Sequence, residues 1–209
     1  MLVRDIMKSP AIAISPGTTL QDAYRTMQLK GIRHLPVTEG QELVGVITDR
    51  DLRLATSALA PSPFSAGALV SDVMTKRPLT VDPADPVEDA ARTMRGRKIG
   101  CLPVTDDGRL IGIVTGLDLL DALMRMTGVD KPSGRLEVRL PDHPGELARL
   151  TALLSQRDLN VHSILTNSDG PQSVRAVLRV GSIETRLLAQ DLRAAGFDVV
   201  WPPEKPCPR

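Results

Sequence analysis

One duplication constrains this chain more than any other feature. Val3-Arg4-Asp5-Ile6-Met7 returns as Val70-Ser71-Asp72-Val73-Met74, and the offset of 67 residues from Val3 to Val70 carries without a gap to Asp51 over Asp118. About 19 of roughly 51 matched positions are identical, far more than one ungapped register gives by chance, so the two stretches are copies of one folding unit. The motif Gly45-Val46-Ile47-Thr48-Asp49-Arg50-Asp51 is repeated as Gly112-Ile113-Val114-Thr115-Gly116-Leu117-Asp118.

Each copy reads as an arm, a short strand, a helix, two strands and a second helix. In the first, a strand over Ala11–Ile14 precedes Thr18, whose hydroxyl together with Gln21 forms a capping box ahead of the apolar series Leu20, Ala23, Tyr24 and Met27. In the second, Asp85 suits an N-cap, Pro86 the first helical position and Glu88 the box, before Val87, Ala90, Ala91 and Met94. Strands follow over Ile32–Val37 and Ile99–Val104, and Pro36 and Pro103 late in them point to a sheet edge or a strand end. A polar turn and a second apolar strand lead to helices starting at Asp51 and Asp118. The proline- and serine-containing stretch 58–69 reads as a linker between the copies.

The repeated motif places a hydroxyl at a strand-to-helix turn and a carboxylate three residues later. A helix N-terminus carries free N–H groups and partial positive charge, so a phosphate can rest on the turn while the carboxylate accepts bonds from ribose hydroxyls. The same Thr-x-x-Asp spacing also makes a capping box, which needs no ligand. Both readings stay open for Thr48 with Asp51 and for Thr115 with Asp118. Arg50 adds a guanidinium to the first turn, where the second has Leu117, so the first is the one equipped for a phosphorylated ligand.

With the pattern of Met7, then Arg33-His34-Leu35-Pro36-Val37, then Gly45 to Leu52 recurring in register as Met74, Gly100-Cys101-Leu102-Pro103-Val104 and Gly112 to Leu119, residues 1–125 resemble a pair of CBS (cystathionine-β-synthase-type) domains, the Bateman module. The resemblance implies a pseudo-twofold pair around clefts that bind adenine nucleotides such as AMP, ADP or ATP as regulatory ligands. It implies a nucleotide site at Thr48, Asp49, Arg50, Asp51, Thr115 and Asp118, with Arg33 and His34 beside it. It also implies pairing into homodimers. Read from the residues alone, Arg33 is equally a solvated edge charge and His34 a packing histidine.

After the turn-rich connector 128–134 the pattern changes. Leu136, Val138 and Leu140 alternate with charged residues as in a half-buried strand, and Leu147, Leu150, Leu153 and Leu154 share a helical face. Strands over Val161–Leu165 and Val174–Val180, a helix over Ile183–Ala195 stopped by Gly196, and a strand over Phe197–Trp201 complete the order βαββαβ, a ferredoxin-like split unit. With Asp142-x-Pro144-Gly145-x-Leu147 between first strand and first helix, this half resembles an ACT domain. That implies a possible amino-acid site at Asp142 and Gly145; the residues alone allow Asp142 and Pro144 simply to cap and start the helix. The CBS pair followed by an ACT-like half resembles the AcuB family, linked to acetoin utilisation.

The expected fold class is therefore α+β: CBS domain 1 over 1–57, linker 58–69, CBS domain 2 over 70–127, connector 128–134, an ACT-like domain over 135–202 and a disordered tail over 203–209. The expected function is a regulatory, non-catalytic ligand sensor with no required cofactor, rather than an enzyme of acetoin or nucleotide metabolism or a DNA-associated regulator. A formal net charge of +1 from 26 basic and 25 acidic residues, with 2% aromatics, gives neither a phosphate-backbone footprint nor base-stacking platforms, so no nucleic-acid partner is expected. Two cysteines, Cys101 and Cys207, and His143 and His162 in the other half from His34, make no metal cluster. No apolar run approaches a membrane span or a secretory leader, which places the protein in the cytoplasm, away from membranes.

Overall fold

The computed structural model describes residues 1–204, and the expected disorder of 205–209, like Cys207, lies outside the described residues. The chain divides into two compact units, one through Ala122 and one from Leu123 on.

The first unit is the duplicated half. Helix α1 spans Leu20–Lys30, strands β1 and β2 span His34–Glu39 and Glu42–Thr48, and α2 spans Asp49–Ala55; after the one-turn α3, Val70–Val73, and the short β3, Thr75–Lys76, the series returns as α4 (Val87–Arg97), β4 (Cys101–Asp106), β5 (Arg109–Thr115) and α5 (Gly116–Thr127). The sheet runs β1-β2-β5-β4, with β3 against β2, so equivalent strands sit at mirrored positions. Pro36 and Pro103 lie in the two outer strands, as their missing N–H groups require. The inner strands pair at Glu42 opposite Arg109.

Local chemistry corrects several boundaries. Thr19, not Thr18, caps α1 by accepting from Asp22 N at 3.1 Å, while Thr18 bonds Ser15. Asp85 is not the cap of α4: its carboxylate accepts from Asp82 N at 2.9 Å, closing a turn, and Pro86 takes the cap position outside the helix. The expected strand at Ala11–Ile14 reduces to one bridge between Ile14 and Val37. The expected strands from Ile32 and Ile99 begin at His34 and Cys101, and the helices expected at Asp51 and Asp118 begin at Asp49 and Gly116, because a box with the carboxylate at its third helical position starts the helix two residues earlier.

The two copies exchange their arms. Val70 is buried in the first core with Leu20, Ala23, Met27, Leu35 and Ile47, whereas Val3 is buried in the second with Ala90, Met94, Leu102 and Val114. Paired backbone bonds fix the exchange: Val70 N donates to Thr18 O at 2.8 Å and Val3 N to Asp85 O at 2.9 Å. The arms continue into the sheet, Thr75 opposite Val46 on β2 and Lys8 opposite Ile113 on β5. Each copy thus closes the other's hydrophobic core, and a fully buried valine contributes roughly 1.5–3 kcal/mol.

In the second unit β6 spans Gly134–Pro141, α6 Glu146–Gln156, β7 Val161–Ser168, β8 Ser173–Val180, α7 Arg186–Ala194 and β9 Asp198–Trp201, with the antiparallel order β7-β8-β6-β9. The expected βαββαβ order is present. Leu136, Val138 and Leu140 on β6 and Leu150 and Leu154 on α6 are all at most 1% exposed, while the helix expected from Ile183 starts at Arg186 and leaves Ile183 exposed.

Candidate functional site: two strand-to-helix grips

Strand β2 ends at Thr48 and turns at once into α2. Thr48 Oγ1 donates to Asp51 Oδ2 at 2.7 Å, Thr48 N donates to the same oxygen at 2.9 Å, and Asp51 N donates back to Thr48 Oγ1 at 3.2 Å. The second copy repeats this, with Thr115 Oγ1 and Thr115 N donating to Asp118 Oδ2 at 2.6 and 2.8 Å and Asp118 N reaching Thr115 Oγ1 at 3.5 Å. The capping box therefore exists at both grips. Each box uses one carboxylate oxygen for its two charge-assisted bonds, which leaves the other to accept a hydroxyl.

The first amide of each helix is also committed: Asp49 N donates to Arg33 O at 3.0 Å and Gly116 N to Gly100 O at 3.2 Å. With Asp51 N in the box, the turn has little N–H capacity for a phosphate. Asp49 turns to Arg53 in an ion pair at 2.5 Å, while Arg50 is exposed. Arg33 is exposed as well, and its carbonyl pins the helix start.

His34, at the start of β1, is half-buried against the second copy. A Cβ at Gly100 would stand 2.7 Å from His34 Nε2, so the imidazole uses space that the absent side chain leaves. Burial, and then the Arg33 charge, hold the His34 pKa below its ordinary value against the opposing pull of Asp51 and Asp49. Cys101, the residue matched to His34, lies buried with Val46 and Ile113, and burial, followed by the negative charge of Asp51, pushes its thiol up to about 12. The Asp51 grip therefore borders residues of both copies.

The grips differ in one contact that comparison of matched motif positions misses. Lys8 Nζ lies 3.6 Å from Asp118 Oδ1, and the Asp118 side chain is 7% exposed. Lys8 belongs to the exchanged arm, whose destination periodicity does not reveal.

In the second unit, Asp142 and Gly145 are both exposed. Asp142 does not cap α6: the cap position is Gly145 at φ +95°, a left-handed conformation glycine adopts freely, and Asp142 N donates to Gln172 O at 2.9 Å. Pro144 likewise precedes the helix. A groove of about 340 Å³ lined by Arg139, Pro141, Arg149, Gln172, Ser173 and Phe197 lies in this unit, and neither Asp142 nor Gly145 lines it.

The duplicated unit matches the CBS domain family at residues 3–57 and 70–125, and the second matches the ACT domain family at 134–197. The chain is a CBS-domain protein with a C-terminal ACT domain. This CBS–ACT protein is 39% identical over 135 residues to a CBS domain-containing protein of Dictyostelium discoideum, covering 60% of this chain and 93% of the relative. It is 33% identical to inosine-5'-monophosphate dehydrogenase of Korarchaeum cryptofilum, of whose length the match spans 32%, against 78% of this chain. Among solved structures, CBSX2 in complex with AMP is 32% identical with a TM-score of 0.55, covering 60% of this chain and 97% of that one. The CBS domain pair of protein MJ0100, in complex with 5'-methylthioadenosine and S-adenosyl-L-methionine, is 28% identical with a TM-score of 0.54 over 63% and 98%. A putative acetoin utilization protein (AcuB) from Vibrio cholerae is also 28% identical with a TM-score of 0.54, over 62% and 95%.

Proposed function

We propose that this CBS–ACT protein is a non-catalytic regulator that binds an adenine nucleotide at the Thr48–Asp51 and Thr115–Asp118 grips. The observation that carries the reading is the half-used carboxylate: the box holds each aspartate in place through one oxygen and leaves the other to accept ribose hydroxyls. The complexes of CBSX2 with AMP and of MJ0100 with adenosine derivatives support the ligand class. A ligand gripped between copies that share their cores favours one arrangement of the pair over another, which is the basis of a regulatory signal. Among the described residues no cluster of His, Cys, Asp or Glu could hold a metal ion, and no helix is long and apolar enough to cross a membrane.

Homodimer formation belongs to the same proposal. On α5, Leu117, Leu120, Leu123 and Met124 are each 48–61% exposed, an apolar stripe that a second copy would cover. The likeness to the Vibrio cholerae protein supports a place in acetoin utilisation. Calorimetric titration with AMP, ADP, ATP and S-adenosylmethionine tests the ligand reading: saturable heat is expected for at least one, weakened about ten- to a hundredfold in Asp51→Ala. No binding by any of the four, or affinity unchanged in both Asp51→Ala and Asp118→Ala, would overturn it.

A further inference from the structure

The two grips have the same box but take their positive charge from different places. At the first, Arg50 stands beside Asp51 on its own helix; at the second, the matched residue is Leu117. Backbone pairing of the arms supplies what Leu117 lacks. Lys8 pairs with Ile113, two residues before Thr115, through Lys8 N to Ile113 O at 2.9 Å and Ile113 N to Lys8 O at 3.1 Å. The residue at the equivalent place on β2, opposite Val46, is the neutral Thr75. The first grip therefore has Arg50 on its own helix, with Arg33 and Arg53 around the same turn, whereas the second receives Lys8 from the arm of the other copy.

We propose that Lys8 is the phosphate-selecting residue of the second grip, an assignment that rests on the nucleotide reading of that site. Asp118 Oδ2 is committed to Thr115, and Lys8 meets the remaining oxygen, Oδ1, at 3.6 Å. That oxygen is the one a ribose hydroxyl would approach, so a phosphate on the same sugar lies within the sweep of the lysine. The Lys8 side chain is 72% exposed and its partner contact is loose, so the ammonium turns from carboxylate to phosphate without unpacking anything. A compact ammonium on a four-carbon stem suits a mobile phosphate contact, whereas the neutral hydroxyl of Thr75 at the first grip leaves this task to Arg50.

The test is calorimetric titration of the full chain with adenosine and with AMP, in an Asp51→Ala background so that the second grip reports, with and without Lys8→Thr, which copies Thr75. AMP affinity is expected to fall about tenfold on Lys8→Thr while adenosine affinity holds. Equal losses for both ligands, no loss for either, or no AMP binding at all in Asp51→Ala would overturn the assignment while leaving the nucleotide reading of the first grip intact. Absence of AMP and adenosine binding in the unaltered chain would overturn both. Should Asp51→Ala fail to fold, Lys8→Thr in the unaltered background gives the same decision from the ratio of AMP to adenosine affinity at the weaker of two sites; a single site unaffected by Lys8→Thr overturns it.

Discussion

The sulfur of Met74 lies so near Gly45 that a Cβ built on the glycine would stand 2.5 Å from it, and Met7 closes on Gly112 in the same way at 2.8 Å. Both methionines belong to the exchanged arms, so each glycine is the floor on which the other copy's arm rests.

Gly45→Ala and Gly112→Ala should therefore both destabilise the first unit. A methionine sulfur can swing aside, but Thr75 O at 3.2 Å from the first Cβ and Lys8 O at 3.0 Å from the second are backbone and must shift with the arm. Such overpacking costs about 1–3 kcal/mol, read as a lowered denaturant midpoint. Gly96→Ala, where nothing lies within 4 Å of the added carbon, is the control and should not lower it.

Arg50→Leu makes the first grip resemble the second at that position. AMP affinity of the first grip should fall several-fold and adenosine affinity stay near its starting value, because only the phosphate needs a guanidinium. Equal losses in calorimetry would show that Arg50 shapes the turn instead.

Histidine 34 predicts an acid-sensitive fold. Its pKa is lowered in the folded protein, mainly by burial, so the unfolded chain takes up a proton first as pH falls. No stability is lost above the unfolded value of about 6.5; the loss starts as pH drops through it and levels off below the folded value. Denaturant midpoints at pH 8 and pH 5 should differ less in His34→Gln than in the unaltered protein.

Cys101 should resist thiol reagents. Its thiol is buried and raised to about 12, so almost no thiolate exists at pH 8. In a Cys207→Ser background, Ellman's reagent should label nothing until denaturant is added, and prompt labelling of the folded protein would contradict the burial described here.

On the sheet of the second unit, Asp169 accepts from Arg139 at 2.8 Å and from Arg175 at 3.0 Å. These hydrogen bonds, that of Arg139 foremost, hold its carboxyl below the usual carboxylate range. Whatever stability the pair adds is present above the unfolded value and disappears as pH falls through the lowered one. A carbon-detected NMR titration should show Asp169 losing its proton below the usual carboxylate range, with the depression shrinking in high salt.

Much of this architecture was legible in the chain, and in the first unit the repeat supplied two readings of each element. Pro36 and Pro103 marked sheet edges, and the alternation of Leu136, Val138 and Leu140 marked the inner face of β6. The Thr-x-x-Asp boxes could also be read, since their bonds span three residues and depend on little else. Helix starts were harder to place: Thr18 and Thr19 carry the same hydroxyl, and only the turn made by Ser15 with Thr18 decides between them. Lys8 at Asp118 was not legible at all. Local periodicity describes what a strand is, and the exchange of arms is a matter of which of two near-identical halves of the sheet it joins.

That exchange bears on how such a chain could arise. A polypeptide with one copy would expose the groove that Val3 or Val70 now fills, and folding back its own arm would not reproduce the contacts seen here. Two such polypeptides trading arms would satisfy both grooves at once, with a true twofold axis between them. Covalent fusion of such a swapped pair would yield the present arrangement directly, and it would free matched arm positions such as Lys8 and Thr75 to differ, which two identical partners could not do.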